Sequence, residues 1–492
     1  MNEEIPIIIE EGDSTNKLRR YAREIVMLVI LVFVLGVSTI YLWQNRLDLA
    51  DTNNTRVQEF YAKIAEANVS FTDAGEMIFP DEQEFLSKKE QYLRDKTSFV
   101  EANLRYMKMT LYTDGTAETI VDIITKGKEG SWWETPTGDY EALAKSGTAW
   151  SSIGNVWMPY SIQFYGNYFI HGWPYHDDGT LVPAGYSGGC IRLATEDAKV
   201  VYDFIEEGMP ILVLEDQSSV GLGFIENVDG EIVSPPAVMA KSFLVSDIST
   251  GRSLLEKLPS EQTQISSLAR LMTAVVAHEI IYLGRSIKVT ESMMAGALTA
   301  FAPTLGTSYT GLDLLYPLLM QNSPDSANIL SGYVGDKRFV RNMNFKANSL
   351  GMFDTKFTNP TGDGEENISS ATDLAKLLQY IYFKRSFLFD ITKGKSFDNV
   401  GSIRIGDTVN IANLNNENSF SNDPDLIGAI MGSESLSDTS MLSVWNVNTA
   451  NSVEPVSIVV LDSHDAKGDT EALLTWVKAS YGTSKVGAVN SL

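Results

Sequence analysis

Residues 168–193 read YFIHGWPYHDDGTLVPAGYSGGCIRL, and the fold of the first half of the chain turns on this stretch. Tyr168-Phe169-Ile170 is an apolar run that suits a buried strand, and it ends at His171-Gly172. A loop rich in Pro, Gly and Asp follows. Ser187-Gly188-Gly189 then delivers Cys190, after which Ile191 and Leu193 alternate with Arg192, the period of a strand. Two glycines before a thiol let the backbone take unusual dihedrals and let another molecule approach closely. The amides of Gly189 and Cys190 are placed to face a developing oxyanion. Cys190 is the only cysteine, so it makes no internal disulfide. It is a packing thiol or a reactive one, and reactivity requires a base or a positive field close by. Of the four histidines, His171 and His176 both precede Cys190 in this stretch. His171 stands at a strand end, and His176 beside Asp177 and Asp178 in the loop; either is a candidate base.

Outward from this stretch the same texture continues. LRYMKMTLYTDG, TAETIVDIITKGKEG and WMPYSIQFYGNYFIHGW are β-rich and separated by turn residues. ATEDAKVVYDFIEEG predicts a helix starting at Thr195, and PILVLE predicts a strand after it. Residues 96–216 thus form one β-rich domain. Residues 217–236 are a linker with a turn at Asp229-Gly230. Residues 237–482 alternate helical stretches (SSLARLMTAVVAHEIIYL, GLDLLYPLLMQ, ATDLAKLLQYIYF) with a strand-like PVSIVVLDS, a layered α/β or α+β pattern, and 483–492 are a tail.

At the other end, residues 25–43 read IVMLVILVFVLGVSTIYLW without a charge. At 1.5 Å per residue they match the roughly 30 Å apolar core of a bilayer. Lys17, Arg19, Arg20 and Arg23 precede them and only Arg46 follows closely. This asymmetry predicts a cytoplasmic tail (1–24), a single span, a helical stalk (44–95) and extracytoplasmic domains, hence a cell-membrane location. No small-residue cleavage site of a signal peptide is visible. The 492 residues carry a formal charge of -25, which argues against a nucleic-acid partner. Neither an HExxH motif nor a cysteine cluster is present, so neither metal nor cofactor is expected.

The motifs add a resemblance. His171-Gly172, the Ser187 to Arg192 run, Thr135-Pro136-Thr137-Gly138-Asp139-Tyr140 and Trp157-Met158-Pro159-Tyr160-Ser161-Ile162-Gln163-Phe164 are similar, in order, to the signature of the L,D-transpeptidases of YkuD type. The resemblance implies a β-sandwich-like fold and a Cys190 nucleophile with His171 as its base. It places Ser187, Gly188, Gly189 and Arg192 in the active-site strand, and Tyr160 and Gly172 at the substrate pocket. It also implies attack on the carbonyl between the third and fourth residues of a peptidoglycan stem peptide, loss of D-Ala, and transfer of the thioacyl group to an acceptor amine. Carbapenem-type β-lactams would then be covalent inhibitors. Many members carry a His where Gly188 stands. Gly172 offers no side chain to orient His171, so a backbone carbonyl must do so.

The second domain resembles the D-alanyl-D-alanine carboxypeptidases, through AKSFLVSDISTGRSLLEKLPSEQTQISSLARLMTAVVA and FTNPTGDGEENISSATDLAKLL. That chemistry uses Ser-x-x-Lys, Ser-x-Asn and Lys-Thr-Gly. Here Ser267-Leu268-Ala269-Arg270 puts an arginine, a poor base, in the lysine's place. Asn322-Ser323-Pro324 and Ile430-Met431-Gly432 stand where the other two motifs belong, and nearby Ser326-Ala327-Asn328 fits the second pattern but is off register. The expected fold class is therefore multidomain: a transmembrane helix, a β-rich L,D-transpeptidase domain, and an α/β (α+β) serine carboxypeptidase/β-lactamase-like domain with a degenerate Ser267/Arg270 site. The expected function is L,D-transpeptidation. Its alternatives are an L,D-carboxypeptidase with water as acceptor and a non-catalytic wall-peptide-binding protein.

Overall fold

The computed structural model describes residues 82–215, 234–294, 301–364, 366–397, 413–433, 439–449 and 452–481. All lie within one compact unit, Lys63–Leu492.

The first domain opens with helix α1 (Glu82–Arg94). Nine strands follow: β1 (Phe99–Asn103), β2 (Lys108–Thr113), β3 (Thr116–Thr125), β4 (Gly138–Glu141), β5 (Ala144–Ser151), β6 (Val156–Tyr165), β7 (Tyr168–His171), β8 (Ile191–Leu193) and β9 (Pro210–Leu214). Helix α2 (Thr195–Phe204) lies between β8 and β9 and begins at Thr195, as its sequence predicts. The strands form one sheet in the order β4-β9-β1-β2-β3-β8-β7-β6-β5. The β-sandwich-like arrangement thus resolves into a single hydrogen-bonded order, because three-residue β8 pairs with β3 on one side and with β7 on the other. Ile162, Phe164, Ile170, Ile191 and Leu193 are fully buried in its core, and Val201 of α2 packs against them. Helix α1, the end of the expected stalk, is pinned to this domain. Tyr92 donates to Asp139 at 3.0 Å and Lys89 pairs with Glu101 at 2.7 Å.

The second domain holds β10 (Ser242–Asp247), β11 (Ser253–Lys257), the short strands β12 (Thr263–Gln264), β13 (Ser286–Lys288), β14 (Ser308–Thr310) and β15 (Ile368–Ser369), then β16 (Leu426–Ser433), β17 (Thr439–Asn448) and β18 (Val453–Ser463). A five-stranded antiparallel sheet runs β11-β10-β18-β17-β16. Helices are α3 (Ala269–Ile280), α4 (Gly311–Met320), α5 (Pro324–Val334), α6 (Asp336–Ser349), α7 (Ala371–Lys384), α8 (Phe387–Thr392) and α9 (Ala466–Tyr481). Val456, Ile458 and Val460 of β18 meet Leu473 and Val477 of α9 in the core, the alternate residues of a strand facing one side of a helix. Thr310 and Asp313 close a capping box at the start of α4.

Two expectations are corrected here. Among the described residues no helix is long and apolar enough to cross a membrane. The longest, α9, has 16 residues, about 24 Å at 1.5 Å each, short of a roughly 30 Å apolar core. The tail at 1–24, the span at 25–43 and the linker at 217–233 lie outside the described residues. The fold class is accordingly that of two sheet-based domains, and the single-pass membrane location with a cytoplasmic N-terminus is not carried forward.

Candidate active site

Strands β7 and β8 run parallel, with Ile170 opposite Ile191 and His171 opposite Arg192. Ile170 and Ile191 are fully buried in the core. Side chains alternate along a strand, so His171, Arg192 and Cys190, one residue ahead of β8, share the opposite face. His171 is buried and Cys190 partly exposed. The thiol sits 3.8 Å from the Asn167 carbonyl. Among the described residues no hydrogen bond joins Cys190 to His171.

The histidine tautomer follows from its partner. Nδ1 of His171 lies 2.6 Å from the Gly172 carbonyl. A carbonyl only accepts, so Nδ1 carries the hydrogen and Nε2 presents a lone pair. Burial pushes the imidazole down to about 3, against the pull of the Gly172 carbonyl and with help from the Arg192 charge. Burial also pushes the Cys190 thiol up, while the Phe169 amide and Arg192 favour the thiolate. At neutral pH the site therefore rests as neutral thiol and neutral imidazole.

The backbone around the thiol is fixed by close contacts. The Ser187 hydroxyl donates to the Cys190 carbonyl and accepts from the Gly189 amide at 3.1 Å. Gly189 therefore spends its amide locally, and the Cys190 amide, which donates to nothing among the described residues, is the one left for an oxyanion. Gly189 adopts φ 101°, and a Cβ there would overlap the Tyr168 ring and lie 2.9 Å from the Trp133 carbonyl. Gly188 is exposed. Gly172 donates to Pro159 at 2.8 Å, and a Cβ on it would meet Pro159 and Thr195 at 3.1 Å. Tyr160 leans on Tyr202 of α2 with ring centroids 5.8 Å apart and packs on the domain core. Arg192 stacks over Trp173 at 5.9 Å. His176 sits in the loop and its amide bonds Thr180.

Two residues escaped the sequence reading as parts of the site. Thr135, fully buried, donates from Oγ1 to the Gly189 carbonyl at 2.9 Å and accepts from the Gly127 amide at 2.9 Å. Tyr168 supplies the ring against Gly189. Thr135 opens the TPTG motif, so its signal was present without a role attached.

The second domain holds a cavity of about 430 Å³. Ser266, Ser267 and Arg270, then Asn322, then Met431 and Gly432 line it, so the three degenerate motif positions do converge. Arg270 donates to the Asn322 carbonyl and, at 3.2 Å, to Asp363. Burial pushes its guanidinium down to about 10, so it stays cationic at neutral pH. Ser323 caps α5 by accepting from the Ser326 amide. Among the described residues no cluster of His, Cys, Asp and Glu is arranged to hold a metal ion.

Residues 97–213 match the family model of the L,D-transpeptidase catalytic domain, YkuD, and residues 229–426 that of the D-alanyl-D-alanine carboxypeptidases, peptidase family S11. The chain carries both domains. Both are peptidoglycan-peptidase types. A D-alanyl-D-alanine endopeptidase of Escherichia coli (strain K12) is 32% identical over 149 residues, 30% of this chain and 48% of that protein. A D-alanyl-D-alanine carboxypeptidase of Bacillus subtilis (strain 168) is 30% identical over 167 residues, 31% of this chain and 42% of that one. The chain thus spans about half the length of the curated relatives it matches. Among solved structures, the Streptomyces K15 DD-transpeptidase aligns with a TM-score of 0.43 at 22% identity, covering 50% of this chain and all of that one.

Proposed function

We propose that this protein is a peptidoglycan L,D-transpeptidase working through Cys190, with a second domain that is catalytically silent. The observation carrying this reading is the His171 Nδ1 bond to the Gly172 carbonyl, which leaves Nε2 as a base on the thiol's face of the sheet. In the first step His171 takes the thiol proton and Sγ attacks the carbonyl carbon between the third and fourth residues of a stem peptide. The Cys190 amide donates to the oxyanion. The imidazolium returns its proton to the nitrogen of the departing D-Ala, leaving a thioester. An acceptor amine then attacks the thioester, its proton passes to His171, and collapse expels the thiolate, which regains the proton. The product is a new amide. Water in place of the amine yields a carboxypeptidase product instead.

The silent second domain is supported by Arg270. A guanidinium still cationic at neutral pH does not take a proton from Ser267.

The test is intact-protein mass spectrometry of the full chain with a carbapenem, beside Cys190→Ala and Ser267→Ala. The expected result is one adduct, absent only from Cys190→Ala. Loss of the adduct only in Ser267→Ala overturns the assignment of the working domain. A stem tetrapeptide with and without an acceptor amine then separates transfer from hydrolysis.

A further inference from the structure

We propose that Lys384 and Arg385, at the end of α7 in the second domain, are positioning residues for the Cys190 site of the first. The proposal rests on the transpeptidase reading only for the rate it expects to change; the contacts stand on their own.

Gly189, the residue before the nucleophile, is held from two sides. Its carbonyl takes the Thr135 hydroxyl bond at 2.9 Å, and a β-carbon on it would run into the Tyr168 ring. Both holds lead back to the second domain. Glu134, the neighbour of Thr135, receives Lys384 Nζ on its carboxylate at 2.6 Å and Arg385 on its carbonyl at 3.3 Å. The Tyr168 hydroxyl faces the same guanidinium at 3.5 Å. Arg385 is in turn gripped by Glu279 of α3, at 2.9 Å from Nε and 2.7 Å from the second terminal nitrogen. Lys384 also reaches Glu215, just past β9, at 2.6 Å. Beside this cluster Trp132 stacks on Phe387 at 4.9 Å, and its carbonyl bonds the His278 ring. Lys384, Arg385, Glu134 and Glu279 are all buried.

The guanidinium is suited to this work because its fork binds Glu279, the Glu134 carbonyl and the Tyr168 hydroxyl in one plane, which a lysine does not reproduce. Reactive geometry is sensitive to shifts of about 1 Å, so loosening residues 134–135 moves the thiol and the Cys190 amide together. The second domain thereby keeps a use after losing its own base: it is a buried wall of the first domain's active site.

The experiment uses the full chain with Arg385→Lys and, separately, Thr135→Val. The second variant leaves every charge in place and removes the hydroxyl that bonds the Gly189 carbonyl and the Gly127 amide, so it remains readable where Arg385→Lys unfolds. Acylation of Cys190 by a stem tetrapeptide is followed with substrate concentration, and alkylation by iodoacetamide is followed alongside. The expected result is a fall of about tenfold or more in the acylation rate constant, with KM within about threefold, in folded protein. Folded variants that acylate at the wild-type rate, or that change KM alone, overturn the proposal. If wild type forms no acyl-enzyme, the transpeptidase reading falls; an alkylation rate changed about tenfold by either variant still upholds the positioning role. An unchanged alkylation rate in that case overturns the positioning role too.

Discussion

At the residue scale, the reactivity of Cys190 depends on what surrounds its proton. Many cysteine nucleophiles rest as a thiolate beside an imidazolium, which keeps them reactive well below neutral pH. Here burial works against both ions: it raises the thiol and lowers His171 to about 3. Proton transfer then belongs to the attack itself. Iodoacetamide, which needs only thiolate, should alkylate Cys190 at a rate that climbs with pH through a midpoint above the ordinary thiol range. A plateau from about pH 5 upward would mean a preformed ion pair and would sink this account. His171→Gln should slow acylation by carbapenem by about 10² to 10⁴, the usual worth of a general base. Cys190 and His171 were legible as candidates in the sequence because a lone thiol and a strand-end histidine carry their chemistry in their residue types, and the β7–β8 register sets them on one face of the sheet. The orienting carbonyl was legible as well, since Gly172 has no side chain to offer. The engagement of the Gly189 amide by Ser187 was not, since it depends on one hydroxyl rotamer.

At the scale of elements, β7 and β8 are short, of four and three residues, and their parallel pairing sets the site. An apolar run predicted β7, and alternation predicted β8. It did not predict that β8 would bridge β3 to β7 and make one nine-stranded sheet, because three residues carry no information about their neighbours. The turn into β8 is the sensitive point. Gly189→Ala puts a β-carbon into the Tyr168 ring at φ 101°. The expected outcome is a stability loss of about 1–2 kcal/mol from the left-handed backbone. Acylation should fall about 100-fold, the effect of a displacement of about 1 Å at the reacting atoms. A thermal melt beside a carbapenem acylation rate checks both; an alanine variant with wild-type acylation would show that the ring moves aside at no cost.

At the scale of the whole molecule, the two domains share a buried ionic seam that the sequence hid. Glu279, Lys346, Lys384 and Arg385 look like solvated charges in a linear reading, since a helix usually turns such residues to water. Their partners are far away along the chain: Glu134 lies 250 positions from Lys384, and Glu279 lies 106 from Arg385. Removing one member of such a buried set leaves the others uncompensated, at a cost of about 3–5 kcal/mol. Glu279→Ala should therefore lower the stability of both domains together, and calorimetry of the wild type should show a single transition. Two transitions, with only one moved by Glu279→Ala, would refute the shared seam.

The pH dependence of that transition follows from the same groups. Burial alone would raise Glu279 and Glu215, but the facing charges of Lys346 and Arg385, and of Lys384 and Lys126, hold each at about 2. Their stabilisation is present above the ordinary carboxylate value of 4.5 and is lost as pH falls toward 2. Burial holds His171 and His278 at about 3, so the unfolded chain takes up their protons first, from the ordinary histidine value of 6.5 downward. Stability should thus begin to decline just below pH 6.5, offset in part by Glu134, whose carboxyl burial raises, and steepen below about 4.5. Each histidine doubly replaced by Gln in a Cys190→Ala background should shift the onset of the decline down to the carboxylate range. A midpoint that stays flat from pH 6.5 to 4.5 in the unsubstituted chain would mean that neither histidine is held neutral, and the general-base account of His171 would fall with it.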